Sequence, residues 1–196
     1  MNNLRFPRRW RYALIVAAAL TGALCSSVIA RGQEQETVKA ERLLKAGTSL
    51  ADQTHYLEAL DLLDEARTLL EKVGDAKSAP YADVLFALAQ AKIKGRLHQG
   101  FPSGYVKAAR DDIQTANRLR EKLPRVLPQK LAEGLYLEGY VLQRFFRQAD
   151  EARSCFSRCV EVDPGHAACK RELSAVLPGK EDGRSPKDTE PDPSKE

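Results

Sequence analysis

The cysteine and histidine residues near the C-terminus are the part of this sequence whose residue types could do chemistry. Cys155 and Cys159 are separated by one helical turn, and His166 and Cys169 follow in the spacing C-x3-C-x6-H-x2-C. Thiolate and imidazole are the groups that hold Zn²⁺ in structural sites. This spacing, however, is not one of the common zinc patterns. We therefore expect no bound metal and no cofactor.

Two other states of these cysteines agree with the pattern. All three are buried thiols, or Cys169 forms a disulfide with either Cys155 or Cys159. An oxidising compartment favours the disulfide. A single bridge among three cysteines leaves one thiol outside it.

No set of residues typical of catalysis is present. His55 lies between two predicted helices, His98 lies in a long connection, and His166 directly follows an Asp-Pro-Gly turn, so each has the setting of a surface or turn residue. The sequence contains no GxSxG, HExxH, P-loop or GxGxxG motif. We expect that the protein is not an enzyme.

A stripe of aromatic and basic side chains recurs at helical spacing between positions 136 and 147. Its members are Tyr136, Tyr140, Gln143, Arg144 and Arg147. Tyrosine and arginine are enriched in the hot spots of binding surfaces. The stripe predicts a contact surface, and the alternative is that one of the tyrosines packs inside the fold.

The N-terminus has the composition of an export signal. Four arginines and no acidic residue precede position 12, and residues 13–24 carry no charge. Val28 and Ala30 fit a cleavage site after Ala30. Residues 13–30 are alternatively retained as a membrane tether, because 18 residues is close to the shortest span of a bilayer. Either way the remainder faces outward, in the periplasm or anchored to the membrane.

The basic character of the chain belongs to this signal. The whole sequence has 31 Lys and Arg against 27 Asp and Glu, a net charge of +4. Without residues 1–30, both totals are 27. Because the remaining domain is formally neutral, its charge gives no reason to expect a nucleic-acid partner.

Apolar residues at spacings of three and four, together with abundant Ala, Leu, Glu and Lys, predict helices from position 36 to 177. Glycine and proline clusters divide the region. The predicted helices are 36–53, 55–73, 79–95, 103–123, 128–147, 149–162 and 166–177. Residues 178–196 contain almost nothing to bury and predict a disordered tail.

The helices fall into similar pairs. With Ala40 as position 1 of a 34-residue unit, positions 8, 20, 24 and 27 are Gly47, Ala59, Leu63 and Ala66. In the last pair the same positions are Gly139, Ala152, Phe156 and Cys159, with one extra residue before the turn. The middle pair diverges, since its connection from Gly95 to Gly104 is about eight residues longer than that unit allows.

This pattern resembles the tetratricopeptide repeat (TPR) family. The resemblance implies an all-α solenoid of about three helical hairpins followed by a C-terminal capping helix, over residues 36–177. Small residues at positions 8 and 20 let the two helices of a hairpin approach, a larger one at 24 fills the gap, and a small one at 27 admits the next helix. An irregular helical bundle is the alternative.

In the TPR family the first helix of each repeat lines a concave groove that binds peptides. The resemblance carries this role to Leu44, Thr48, Phe86, Gln90, Lys94, Tyr136, Tyr140, Gln143 and Arg144, and the aromatic and basic stripe adds Arg147. Members of the family that bind chaperone C-termini do so through a carboxylate clamp of Asn and Lys residues. This chain lacks that pattern, because Leu44 and Thr48 stand at two of the clamp positions. Recognition of chaperone C-termini is therefore not expected.

The expected function is that of an exported scaffold or adaptor that binds a protein or peptide partner in the cell envelope. One alternative is a membrane-tethered structural subunit that makes contacts through Phe101 and Tyr105 in the long connection. A second is a thiol redox or metal-handling protein that uses Cys155, Cys159 and Cys169.

Overall fold

The computed structural model describes residues 32–125 and 127–175, and this part of the chain is all α-helical, with consecutive helices packed as hairpins. The predicted fold class is confirmed. The helices are α1 (32–52), α2 (Tyr56–Lys72), α3 (Ala79–Gln99), α4 (Ser103–Lys122), α5 (Pro128–Val141), α6 (Ala149–Val162) and α7 (Ala167–Ala175). The predicted signal and the predicted tail lie outside the described residues.

Between Leu119 and Arg120 the chain divides into two compact units, here called the N-terminal unit and the C-terminal unit. Among residues 32–125 and 127–175, no helix is both long enough and apolar enough to cross a membrane. The tether predicted for residues 13–30 lies outside the described residues.

The core of the N-terminal unit comes from helices with apolar residues on one face. In α2 the buried residues recur at helical spacing: Tyr56, Ala59, Leu60, Leu63, Ala66 and Leu70. Helix α3 is buried on more than one side, because consecutive residues such as Ala87, Leu88 and Ala89 are all buried. Such a helix is stable only when neighbours cover several of its faces.

Helices α1 and α2 approach closely at a glycine. A Cβ atom at Gly47 would lie 2.7 Å from Leu63 Cγ and 3.2 Å from the Ala59 carbonyl oxygen. These three residues hold positions 8, 24 and 20 of the repeat. The contact is therefore the one that the spacing of small and large residues predicts.

The predicted end of α3 at Gly95 is wrong, since the helix continues to Gln99. The ring of Phe101 occupies the space where a Cβ of Gly95 would lie, so this glycine serves a close approach inside the helix. Gly100 ends the helix instead, with φ at 71° in the left-handed region. The predicted long connection is thus one more helical turn followed by a three-residue loop.

Tyr81 gives the N-terminal unit a distinct alkaline titration. Its hydroxyl donates to Glu71 Oε1 at 2.7 Å, between the end of α2 and the start of α3. Burial, followed by this hydrogen bond and the charge of Glu71, raises the pKa of Tyr81 to about 12. Because the folded pKa lies above the unfolded one, Tyr81 stabilises the fold below about pH 10 and loses that contribution as the pH rises toward 12.

We expect spectrophotometric titration of the folded protein to show one tyrosinate forming near pH 12. Tyr81→Phe should remove this step, and Glu71→Gln should lower the pKa because it removes the carboxylate charge. Tyr105→Phe, which removes a half-buried tyrosine hydroxyl of the same unit at another place, is the matched control. A titration in which every tyrosine ionises near its ordinary value would contradict the prediction.

In the C-terminal unit, α5 and α6 repeat the glycine contact. A Cβ at Gly139 would lie 2.6 Å from Phe156 Cε1, and Phe156 is fully buried. Around this pair lies a cluster of buried residues contributed by α5, by Leu142 directly after it, and by α6 and α7: Ala132, Leu135, Leu142, Ala152, Cys155, Phe156, Cys159 and Cys169.

Candidate functional site

The end of α5 departs from α-helical geometry. Residues Leu142–Phe146 form a π-helical turn, and the Gln148 amide donates to the Leu142 carbonyl at 3.1 Å. A π turn is how a helix absorbs one additional residue. It accommodates the extra residue that the comparison of the hairpins places before this turn.

Arg147 follows the π turn with a backbone conformation that is rare for a side-chain-bearing residue. Its φ and ψ are 57° and 30°, in the left-handed region. Glycine is the usual residue at such a helix end, and other residues take the conformation at a cost of about 1–2 kcal/mol. Strain of this kind recurs at functional sites.

An open cleft of about 630 Å³ lies at this turn, within the C-terminal unit. Its lining consists of Tyr140, Gln143, Arg144, Arg147 and Glu172. Four of these five belong to the stripe predicted from sequence. The fifth, Glu172, lies on α7, which was expected only to cap the array.

The cleft has an excess of positive charge. Arg144 and Arg147 are exposed, and within the described part of the chain neither forms an ion pair. Glu172 is the one acidic residue of the lining. Two guanidinium groups with free donors beside a half-buried tyrosine are suited to an acidic ligand, because arginine binds carboxylates through two parallel hydrogen bonds.

Tyr136 does not line this cleft. Its ring packs 6.1 Å from the ring of Phe156 and 5.5 Å from that of His166, measured between centroids. Burial is the main cause that raises the pKa of Tyr136, and the charge of Glu172 adds to it. Tyr136 is thus the tyrosine of the stripe that packs against the core of the C-terminal unit, where it is half-buried.

The predicted groove residues of the N-terminal unit make internal contacts. Leu44 and Phe86 pack against the core, and the Thr48 hydroxyl donates to the Leu44 carbonyl at 2.8 Å. Lys94 forms an ion pair with Asp52 at 2.9 Å. Gln90 is half-buried on α3. This set offers a partner fewer available polar groups than the C-terminal cleft does.

The cysteines adopt one of the arrangements that the spacing leaves open. Cys159 and Cys169 form a disulfide that joins α6 to α7, with their Cα atoms 6.3 Å apart. Cys155 is a buried thiol outside this bridge. Cys159 holds position 27 of the predicted repeat, where the resemblance implies contact with the next helix, and the disulfide joins it to α7.

The three histidines have different surroundings. His55 Nδ1 lies 3.1 Å from Glu58 Oε2 on the surface, and His98 stacks on Tyr56. His166 differs, because its Nδ1 accepts the Cys169 amide at 3.2 Å and caps the first turn of α7. The spacing C-x3-C-x6-H-x2-C already grouped His166 with the cysteines, and the structure places its ring beside Cys159 and Cys169.

Glu172 was not predicted as a site residue, although a signal for it exists in the sequence. Glu172 follows Cys169 by three residues, and residues three apart share a face of a helix. A disulfide from Cys169 to α6 therefore turns Glu172 toward the other helices of the C-terminal unit.

Comparison with known proteins gives no match, either to a family model or to a curated protein sequence.

Proposed function

We propose that this chain is an exported, TPR-like scaffold or adaptor that binds a segment of another protein of the cell envelope. The binding site is the cleft of Tyr140, Gln143, Arg144, Arg147 and Glu172. The observation that carries the proposal is the convergence of two exposed arginines and a tyrosine on a strained π turn. The signal-like N-terminus and the lack of a catalytic motif support it.

The chemistry of the cleft favours an acidic partner segment. Arg144 and Arg147 supply donors for carboxylates, and Gln143 supplies an amide that both donates and accepts. The Tyr140 ring offers apolar contact area, and lies 6.4 Å from the Phe145 ring in an edge-on arrangement. Arginine and tyrosine together form the usual centre of a protein-binding surface.

The tethered-subunit alternative has less support. Its contact surface was to include Phe101 and Tyr105, but Phe101 is only 8% exposed and its ring fills the space beside Gly95. Tyr105 packs against that ring at 4.9 Å between centroids. Phe101 is therefore part of the core, and only the half-buried Tyr105 leaves surface that a partner could contact.

Arg147→Gly separates binding from folding. Glycine adopts the left-handed conformation without a Cβ clash, so the variant should be as stable as the native chain or more stable by up to about 1 kcal/mol. Its capture of the partner should nevertheless fall at least about tenfold, because a guanidinium is lost. Photo-crosslinking from position 143 in intact cells, followed by a pull-down with each variant, measures the effect.

Arg144→Ala should weaken capture in the same way. Arg158→Ala is the matched control, because it removes an exposed arginine of the same unit outside the cleft, where Arg158 pairs with Glu121. Tyr136→Ala is not a suitable test, since Tyr136 packs against Phe156. Unchanged capture by both Arg144→Ala and Arg147→Gly would refute the proposed site.

A further inference from the structure

Three metal-ligating side chains come together between α6 and α7. One ligand atom each from Cys159, His166 and Cys169 lies within 4.8 Å of the other two. Both sulfur-bearing residues are fully buried, and His166 is half-buried. None of the three lines the cleft at the π turn.

A tight turn holds His166 in this place. The Asp163 side chain accepts the Gly165 amide at 2.9 Å, and its carbonyl accepts the His166 amide at 3.0 Å. His166 then caps α7 through Nδ1. Serine, threonine or aspartate usually performs such capping. Histidine adds an imidazole beside two sulfur atoms, which capping alone does not require.

The distances suit a tetrahedral ion. Zinc-sulfur bonds of about 2.3 Å at tetrahedral angles place neighbouring ligand atoms about 3.8 Å apart. The donor atoms lie within 4.8 Å of one another, so this spacing is within reach once the bond between the two sulfur atoms opens. Two thiolates also neutralise a divalent cation, which lowers the cost of its burial.

We propose that Cys159, Cys169 and His166 form a redox-gated Zn²⁺ site, closed while the disulfide is present and open when it is reduced. This inference goes beyond the scaffold function, because it does not depend on the cleft. In the oxidised chain the two sulfur atoms are bonded to each other and cannot act as thiolate ligands. Reduction releases both.

The reaction balances with a dithiol reductant. Two electrons and two protons pass from the reductant to the Cys159–Cys169 bond; the S–S bond breaks, two thiols form, and the reductant closes its own disulfide. Zn²⁺ then displaces one proton from each thiol, and Nδ1 of His166, the unprotonated ring nitrogen, exchanges its hydrogen bond from the Cys169 amide for the metal and supplies the third ligand. Metal binding therefore releases two protons per ion.

The test uses the full chain, reduced with a phosphine that does not itself present thiols. Titration with Zn²⁺ should give one ion per reduced chain and none per oxidised chain. Co²⁺ in place of Zn²⁺ should give a thiolate-to-metal charge-transfer band. Amide exchange in α7 should slow again when Zn²⁺ is added to the reduced chain, because the ion rejoins α7 to α6.

Single variants decide which residues bind the ion. Cys159→Ser, Cys169→Ser and His166→Gln should each weaken Zn²⁺ binding at least about tenfold. Cys155→Ser is the matched control and should bind normally, since Cys155 is not in the cluster. Failure of the reduced chain to bind Zn²⁺, equal binding by the oxidised chain, or unchanged binding by His166→Gln would overturn the proposal.

Discussion

Replacing Asp112 with alanine should lower the free energy of unfolding by about 3 kcal/mol. Asp112 on α4 and Lys92 on α3 form an ion pair at 2.5 Å, and their side chains are 13% and 11% exposed. Burial raises the pKa of Asp112, while the Lys92 ammonium opposes that rise. Without Asp112, the Lys92 charge remains in a poorly solvated place and loses the carboxylate that pairs with it. Urea unfolding followed by circular dichroism measures the loss.

A double replacement distinguishes the ion pair from the space it occupies. Lys92→Met combined with Asp112→Leu should stay within about 1 kcal/mol of the native stability, because apolar residues of similar volume often replace a buried pair without loss. Glu65→Ala is the matched control for the single change. Glu65 pairs with Lys39 on the surface, where a pair contributes at most about 1 kcal/mol. A similar loss in Asp112→Ala and Glu65→Ala would contradict the prediction.

Phe156→Ala should lower the free energy of unfolding by about 3–5 kcal/mol. Phe156 is fully buried between α5 and α6, and its ring lies against Gly139 and Tyr136. Alanine removes most of this contact area and leaves a cavity that the two helices cannot fully close. The same urea unfolding experiment measures the effect.

Gly139→Ala tests the same contact from the side of α5. Alone, this substitution should lower the free energy of unfolding by about 1–3 kcal/mol, since the added Cβ would lie 2.6 Å from the Phe156 ring. In the Phe156→Ala background it should cost much less, because the cavity receives the added methyl group. Gly104→Ala in α4 is the control: nothing lies within 4 Å of its Cβ position, so stability should stay level or rise. If the losses of unfolding free energy for Gly139→Ala and Phe156→Ala simply added in the double variant, the contact would be disproved.

The hairpins could be predicted from sequence because their determinants are local. A glycine in one helix and a large apolar residue at the matching position of the next helix predict a close contact between the two helices. The structure places Gly47 against Leu63 and Gly139 against Phe156. Helical spacing and breakers also place most helix ends within a few residues. Gly95 shows the limit of such reasoning, since a glycine that accommodates a ring and a glycine that ends a helix look alike in sequence.

The extra residue before position 148 is a second example. Counting along the chain shows that it exists, but the count does not say whether a loop or a helix absorbs it. The structure places it in a π turn, which brings Gln143 and Arg144 into the same cleft as Arg147. That outcome depends on hydrogen bonding between turns, which periodicity does not describe.

By itself, the sequence determined the helical class, the pairing of helices and the stripe from which most of the cleft is built. Only the tertiary structure decided that Glu172 completes the cleft, that Tyr136 packs inward, and that His166 lies beside Cys159 and Cys169. The physical reason is distance. Residue spacing determines contacts along one helix or between adjacent helices. Which residues of α7 reach the cleft and the cysteines depends instead on the direction that the chain takes at the turn before α7.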